Sequence, residues 1–143
     1  MISKETINEI QKCILFMPTN GFGLGHLTRT LAIARRLKQQ DPSVKIIFIT
    51  TSHAIHLVYK EGFIGYFFPS EKLSTLKRRV WNQMFSSTVI NVIRAYNPKV
   101  LVFDGVYPYD IISEIDKLLI SINEANEIAN LLFKFVHENG GDS

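Results

Sequence analysis

Asn20-Gly-Phe-Gly-Leu-Gly-His-Leu-Thr-Arg29 stands between the apolar run Cys13-Ile-Leu-Phe-Met17 and a run in which Leu27, Leu31, Ala34 and Leu37 recur at helical spacing. The glycines therefore fall where a strand ends and a helix begins. The nearly unbroken apolar lead-in, residues 12–17, is that of a strand buried on both faces of a parallel sheet, and Pro18 ends it. Arg35, Arg36, Lys38 and Gln39 give the helix a solvated side. Asp41-Pro-Ser43 breaks it, because proline disfavours helical geometry in the residue before it. Residues 44–49, Val-Lys-Ile-Ile-Phe-Ile, then read as a β-branched strand. A strand, helix, strand unit with a glycine turn at the end of its first strand is where α/β proteins place ligands.

The rest of the chain continues the alternation. Thr51 or Ser52 as a cap predicts a second helix through about Glu61, with Ile55, Val58 and Tyr59 inward and Gly62 closing it. Residues 64–68 read as a third strand. Leu73, Leu76, Val80, Met84, Ile90 and Ile93 predict a long helical segment that ends near Tyr96, either continuous or broken around Ser86-Ser87, and is stopped by Asn97-Pro98. Residues 100–103 form a fourth buried strand, with Asp104-Gly105 at the end from which a parallel strand presents side chains to a ligand. Ser121-x-x-Glu124 is a capping box that predicts a helix over 122–138, and residues 3–11 predict a short lead-in helix. The expectation is a single α/β, Rossmann-like domain with a mostly parallel sheet of at least four strands and flanking helices.

Composition narrows the function. The chain has 143 residues, 46% of them hydrophobic, which suits one domain with its own core. Its net charge of +3 is unevenly spread: residues 72–99 hold six basic and no acidic groups, whereas residues 100–143 hold two basic and eight acidic. The acidic end, and the lack of a recognised module beside the cationic stripe, argue against nucleic acid as a partner. A single cysteine, Cys13, in a buried strand argues against a disulfide framework and for a reducing, cytoplasmic setting. No apolar run reaches the length of a membrane span, and the first residues are too polar for a signal peptide. Peripheral membrane contact stays open: Lys77-Arg78-Arg79 with Trp81 and Phe85 suits either an anionic phospholipid surface or a solvated helix face with buried aromatics. His53 and His56 are three apart, but no cysteine or carboxylate pair completes a metal site, so both read as surface or capping residues. Tyr107-Pro-Tyr-Asp110 suits either stacking on a sugar or a turn with packed aromatics.

The glycine turn itself carries the chemistry. Gly21, Gly23 and Gly25 let the backbone approach a ligand closely, and their amides, with the helix N-terminus, attract an anion such as a diphosphate. The spacing is not the Gly-x-Gly-x-x-Gly of dinucleotide-binding folds, and no Gly-Lys-Ser/Thr follows as a P-loop requires. His26 at a strand-to-helix turn is placed to act as a general base near neutral pH, although spacing alone also allows that it only caps the helix. Thr28 and Arg29 lie in the first helical turn. Arg29, three positions from His26, shares its side and suits an anionic group or an exposed salt bridge.

Gly-x-Gly-His-x-Thr-Arg-x-Leu-Ala-Ile-Ala-Arg-Arg-Leu, followed by Pro98-Lys-Val-Leu-Val-Phe-Asp104-Gly105, resembles the N-terminal half of GT-B glycosyltransferases related to the family that transfers GlcNAc to lipid-linked peptidoglycan intermediates. The likeness covers roughly residues 12–116. It implies an acceptor-binding Rossmann-like domain over residues 1–116, facing a donor domain that holds most of a nucleotide-sugar. The abrupt change to an acidic, helical end makes residues 117–143 a C-terminal helix packing on the acceptor-binding domain, which suits the closing helix of a two-domain enzyme whose donor domain is absent. The likeness further implies that Asn20, Gly21, Gly23, Gly25, Thr28 and Arg29 bind substrate at the phosphate-facing turn and that His26 takes the proton of the acceptor hydroxyl. Asp104 and Gly105 line or order the cleft, and no metal or other cofactor is needed. The partners implied are a nucleotide-sugar, in particular a UDP-sugar, a donor domain from elsewhere in a longer polypeptide or from a second subunit, and an acceptor that is lipid-linked or reached at a membrane surface. No second glycine-rich nucleotide site follows Gly105, so a truncated or split transferase, inactive alone, is the expectation. Two alternatives stand beside it: a UDP-sugar hydrolase of the same two-domain type, and a non-catalytic binding or assembly module.

Overall fold

The computed structural model describes residues 13–19, 25–72, 74–104 and 118–121, together with Glu124, Ala125 and Glu127. Among the described residues, these strands and helices follow in order: β1 (Cys13–Pro18), α1 (Gly25–Gln40), β2 (Lys45–Thr50), α2 (His56–Lys60), β3 (Ile64–Phe67), α3 (Arg78–Tyr96), β4 (Val100–Asp104) and β5 (Leu118–Ser121). They build one sheet in the order β3-β2-β1-β4-β5 with every pairing parallel. The chain moves outward from β1 to β2 and β3, then crosses back by α3 to place β4 on the other side of β1. The order reverses between β1 and β4, the position at which open α/β sheets leave a crevice outside their carboxyl ends.

The period of two along each strand sorts the core into two layers. Ile14 and Phe16 of β1, Ile46 and Phe48 of β2 and Val100 and Val102 of β4 share one face with Leu27, Leu31, Ala34 and Leu37 of α1 and Val58 of α2. Leu15 and Met17, Ile47 and Ile49, and Leu101 share the other with Val89, Val92 and Ile93 of α3. The central strand is covered on both sides, and β1 is buried along its whole length. That is why its sequence is an unbroken apolar run and not an alternating one.

The first strand, helix, strand unit and the fourth strand form as the sequence predicts, with two details added. Pro18 is the last residue of β1, aligned with Asp104 of β4. Asn97 ends α3 in the left-handed conformation, φ 50°, with its N–H on the Ile93 carbonyl, a common way to close a helix before proline. Gly62, φ 81°, closes the α2 turn as expected.

Three elements differ from expectation. The second helix starts at His56, because the Thr50 and Ser52 hydroxyls accept the N–H groups of Ser52 and Ala54 and hold the chain in local turns where a cap was expected. It leaves Val58 buried but Tyr59 55% exposed. The long helix starts at Arg78 and runs unbroken through Ser86-Ser87. Its buried side is Trp81, Val89, Val92 and Ile93, while Leu76 and Met84 are exposed. Residues 118–121, expected to lie in a helical end, add a fifth parallel strand beside β4. Within the expected helix 122–138, Glu124, Ala125 and Glu127 are helical and Ala125 is buried. The remainder of that helix, the lead-in helix 3–11 and Tyr107 to Asp110 lie outside the described residues.

On the α3 side of the sheet the Tyr66 and Tyr96 hydroxyls hydrogen-bond each other. That bond, followed by burial, raises the Tyr66 phenol above its ordinary value of 10. The folded chain thus holds the neutral phenol more tightly than the unfolded chain. The resulting stabilisation is complete below the unfolded value and is lost as pH rises through the folded one. Urea midpoints measured from about pH 8 to 11 are expected to decline for the wild type at the alkaline end, and less steeply for Tyr66→Phe.

Candidate active site

Along β4, Val100, Val102 and Asp104 point to one face, the face that carries α1. The register sets Asp104 level with Pro18, and the Thr19 N–H closes on the Asp104 carbonyl at 3.2 Å. The carboxylate therefore emerges at the carboxyl end of the sheet, at the β1–β4 reversal, facing the first turn of α1. That turn is braced by Thr30, which is fully buried and donates its hydroxyl to the carbonyls of His26 (2.8 Å) and Leu27 (2.9 Å).

Three side chains meet there. Arg29 donates from Nε to Asp104 Oδ2 at 2.8 Å and from Nη2 to Oδ1 at 2.7 Å, a planar fork matched to a carboxylate. His26 Nδ1 lies 2.9 Å from Asp104 Oδ1 and 2.8 Å from Arg29 Nη2. Asp104 is 4% exposed, His26 31% and Arg29 51%, so the carboxylate is withdrawn and the two basic groups border solvent. The hydrogen bond to Asp104, then its charge, hold Arg29 above its already high ordinary value, and the guanidinium is a permanent cation here. No buried side-chain polar atom among the described residues lacks a partner. Nε2 of His26 has none among the described residues. A histidine with Nδ1 against a buried carboxylate and Nε2 available is arranged for proton transfer.

Of the residues singled out by sequence, His26, Arg29 and Asp104 are brought together, across 78 and 75 positions of chain. Thr28 is exposed and donates to the Gly25 carbonyl at 3.3 Å. A Cβ built on Gly25 meets no atom within 4 Å, so packing among the described residues does not demand glycine there. Asn20, Gly21, Gly23 and Gly105 lie outside the described residues. Sequence reasoning missed two things: the fork between Arg29 and Asp104, and the bracing by Thr30. The helical spacing of Thr30 from His26 was a signal for the second.

Elsewhere, Trp81 stacks on Phe85 (centroids 4.9 Å apart, 9° between planes), and Phe68 meets both edge-on. The Trp81 indole donates to the Pro69 carbonyl at 2.7 Å. With Trp81 only 9% exposed, these aromatics pack inward, while Lys77, Arg78 and Arg79 are exposed, as are Lys72 and Arg94 of the same stripe. His53 and His56 are exposed, and His53 sits edge-on to Phe67. Among the described residues, no three His, Cys, Asp or Glu side chains cluster as metal ligands would. No described helix is long and apolar enough to cross a membrane.

No family model and no curated protein sequence matches the chain. Solved structures do. A glycosyltransferase from Rickettsia africae aligns over 90% of this chain with a TM-score of 0.61 at 14% identity. MurG of Acinetobacter baumannii aligns over 85% with 0.58 at 12%, and the calicheamicin glycosyltransferase CalG4 over 78% with 0.55 at 17%. The chain spans 39%, 39% and 32% of their respective lengths. At these identities the likeness is one of fold: the chain has the Rossmann-like arrangement of part of a GT-B glycosyltransferase.

Proposed function

We propose that the chain is the acceptor-side domain of a GT-B glycosyltransferase and that His26 is its general base. The observation that carries this reading is the contact of His26 Nδ1 with buried Asp104 at the carboxyl edge of a fold shared with glycosyltransferases. As the acceptor oxygen attacks the anomeric carbon, its proton passes to His26 Nε2. The new C–O bond forms on one face of the sugar while the bond to the nucleotide diphosphate breaks on the other, which inverts the anomeric centre. Asp104 stabilises the imidazolium that results, and Nδ1 keeps its proton throughout. By sequence, Gly21, Gly23 and Gly25 suit the diphosphate, and Gly105, next to Asp104 in the chain, is assigned to the substrate. The nucleotide portion, UDP in this reading, is held by the donor domain of a two-domain fold. The site works at the cytoplasmic side, and the exposed Lys77-Arg78-Arg79 edge suits an acceptor presented at an anionic membrane surface.

The test is UDP release from UDP-sugars by the chain combined with a donor-binding domain. Release that depends on an acceptor is the expected result. Release without acceptor assigns the base to water and makes the enzyme a UDP-sugar hydrolase. Acceptor binding with no release under any condition makes the chain a binding module. Micromolar affinity of the isolated chain for a UDP-sugar would overturn the assignment of the donor site to another domain.

A further inference from the structure

Sequence leaves Arg29 either to an anionic ligand or to a salt bridge, and the structure commits two of its nitrogens to Asp104. Nη2 of Arg29, Oδ1 of Asp104 and Nδ1 of His26 form a near-equilateral triangle with sides of 2.7, 2.8 and 2.9 Å. Seen from Nη2, the other two atoms lie about 60° apart, whereas its two N–H bonds diverge by about 120°. Near-linear bonds to both partners are therefore not available at once. A lone pair on Nδ1 would accept a bent bond from Arg29 and face a carboxylate oxygen 2.9 Å away with no proton between them. With a proton on Nδ1, Oδ1 accepts from both donors and Arg29 keeps an undistorted fork, at the cost of a 2.8 Å contact between two donors whose hydrogens both point at Oδ1. The tautomer is thus assigned from the hydrogen-bond network.

We propose that Arg29 is a positioning residue. Its paired bonds to Asp104 aim Oδ1 at His26 Nδ1 and so hold the imidazole in the tautomer whose Nε2 lone pair faces the proton to be removed. The proposal rests on the reading of His26 as the base and moves Arg29 from the substrate to the support of that base. Arg29 also compensates a carboxylate almost wholly withdrawn from water, which would be costly unpaired. Lysine at 29 would keep the charge and lose the fork.

The ring nitrogens of His26, observed by 15N NMR in the full chain, read the tautomer directly. They are identified by their loss in His26→Gln and recorded about two pH units above the ordinary imidazole value. The wild type is expected to show a protonated-type Nδ1 and a lone-pair-type Nε2. Arg29→Gln is expected to lose that single state and shift toward the Nε2–H form, and Arg29→Lys to do the same, with amide spectra showing both variants folded. Retention of the wild-type ring state by either folded variant overturns the proposal, as does an Nε2–H ring in the wild type. Should Arg29→Gln fail to fold, Arg29→Lys carries the comparison. The readout is independent of sugar transfer: a fully active His26→Ala enzyme would sink the base reading while the ring signals still decide the role of Arg29.

Discussion

His26→Ala is expected to lower acceptor-dependent UDP release by about 10²–10⁴-fold when a donor-binding domain is supplied, the usual contribution of a positioned general base. The loss should fall on kcat, with KM for the acceptor nearly unchanged, because Nε2 acts on a proton that moves only in the transition state. Asp104→Asn removes the charge that stabilises the imidazolium and replaces an acceptor-only group with an amide able to donate, so a large part of the same loss is expected. The two residues act as one unit, and His26→Ala with Asp104→Asn together should cost little more than His26→Ala alone. Steady-state kinetics of the three variants check this. A His26→Ala enzyme within a few-fold of wild type removes His26 from the chemistry, and additive losses separate it from Asp104.

Phe48→Ala is expected to cost about 3–5 kcal/mol of folding stability. Phe48 is fully buried in β2, stacked between Phe16 (5.1 Å, 16°) and Phe63 (5.9 Å, 12°). Truncation leaves a cavity lined by two rigid rings on a sheet whose neighbours are fixed by backbone pairing, so collapse around it is restricted. Domains of this kind carry only about 5–15 kcal/mol in total, and the variant should sit near the edge of folding. Urea unfolding is expected to show a lower midpoint with an unchanged slope. A loss below about 1 kcal/mol would contradict the packing described.

Much of the fold can be read locally. Residues 13–17 are apolar because β1 is central, the stripe from Leu27 to Leu37 states which side of α1 is buried, and Asn97-Pro98 ends α3 by the geometry that proline imposes. The misread elements are those in which side chains compete with a local rule. The Thr50 and Ser52 hydroxyls draw the chain into turns before α2. Trp81, held by Phe68 and Phe85, sets the buried side of α3, while Leu76 and Met84 of the expected spacing are exposed and Leu73 lies outside the described residues. Residues 118–121 are four apolar and small residues beside a capping signal, and only pairing with β4 makes them a strand. The candidate site divides the same way. His26 and Asp104 could each be placed at a strand end from sequence. Their contact depends on the parallel register that sets Pro18 against Asp104, and no local pattern across 78 residues encodes that.

The central place of β1 also governs how long the site keeps its shape. Its backbone is bonded to β2 on one side and β4 on the other, and both its faces are covered. β3 and β5, by contrast, each have a single neighbour among the described strands. Opening fluctuations start where pairing and burial are least, so the sheet frays from its two borders and closes again while β1, α1 and β4 remain in register. The amides of β1 should be among the last to exchange with solvent. His26, Arg29 and Asp104 are attached to the part of the molecule that gives way only when the whole of it does.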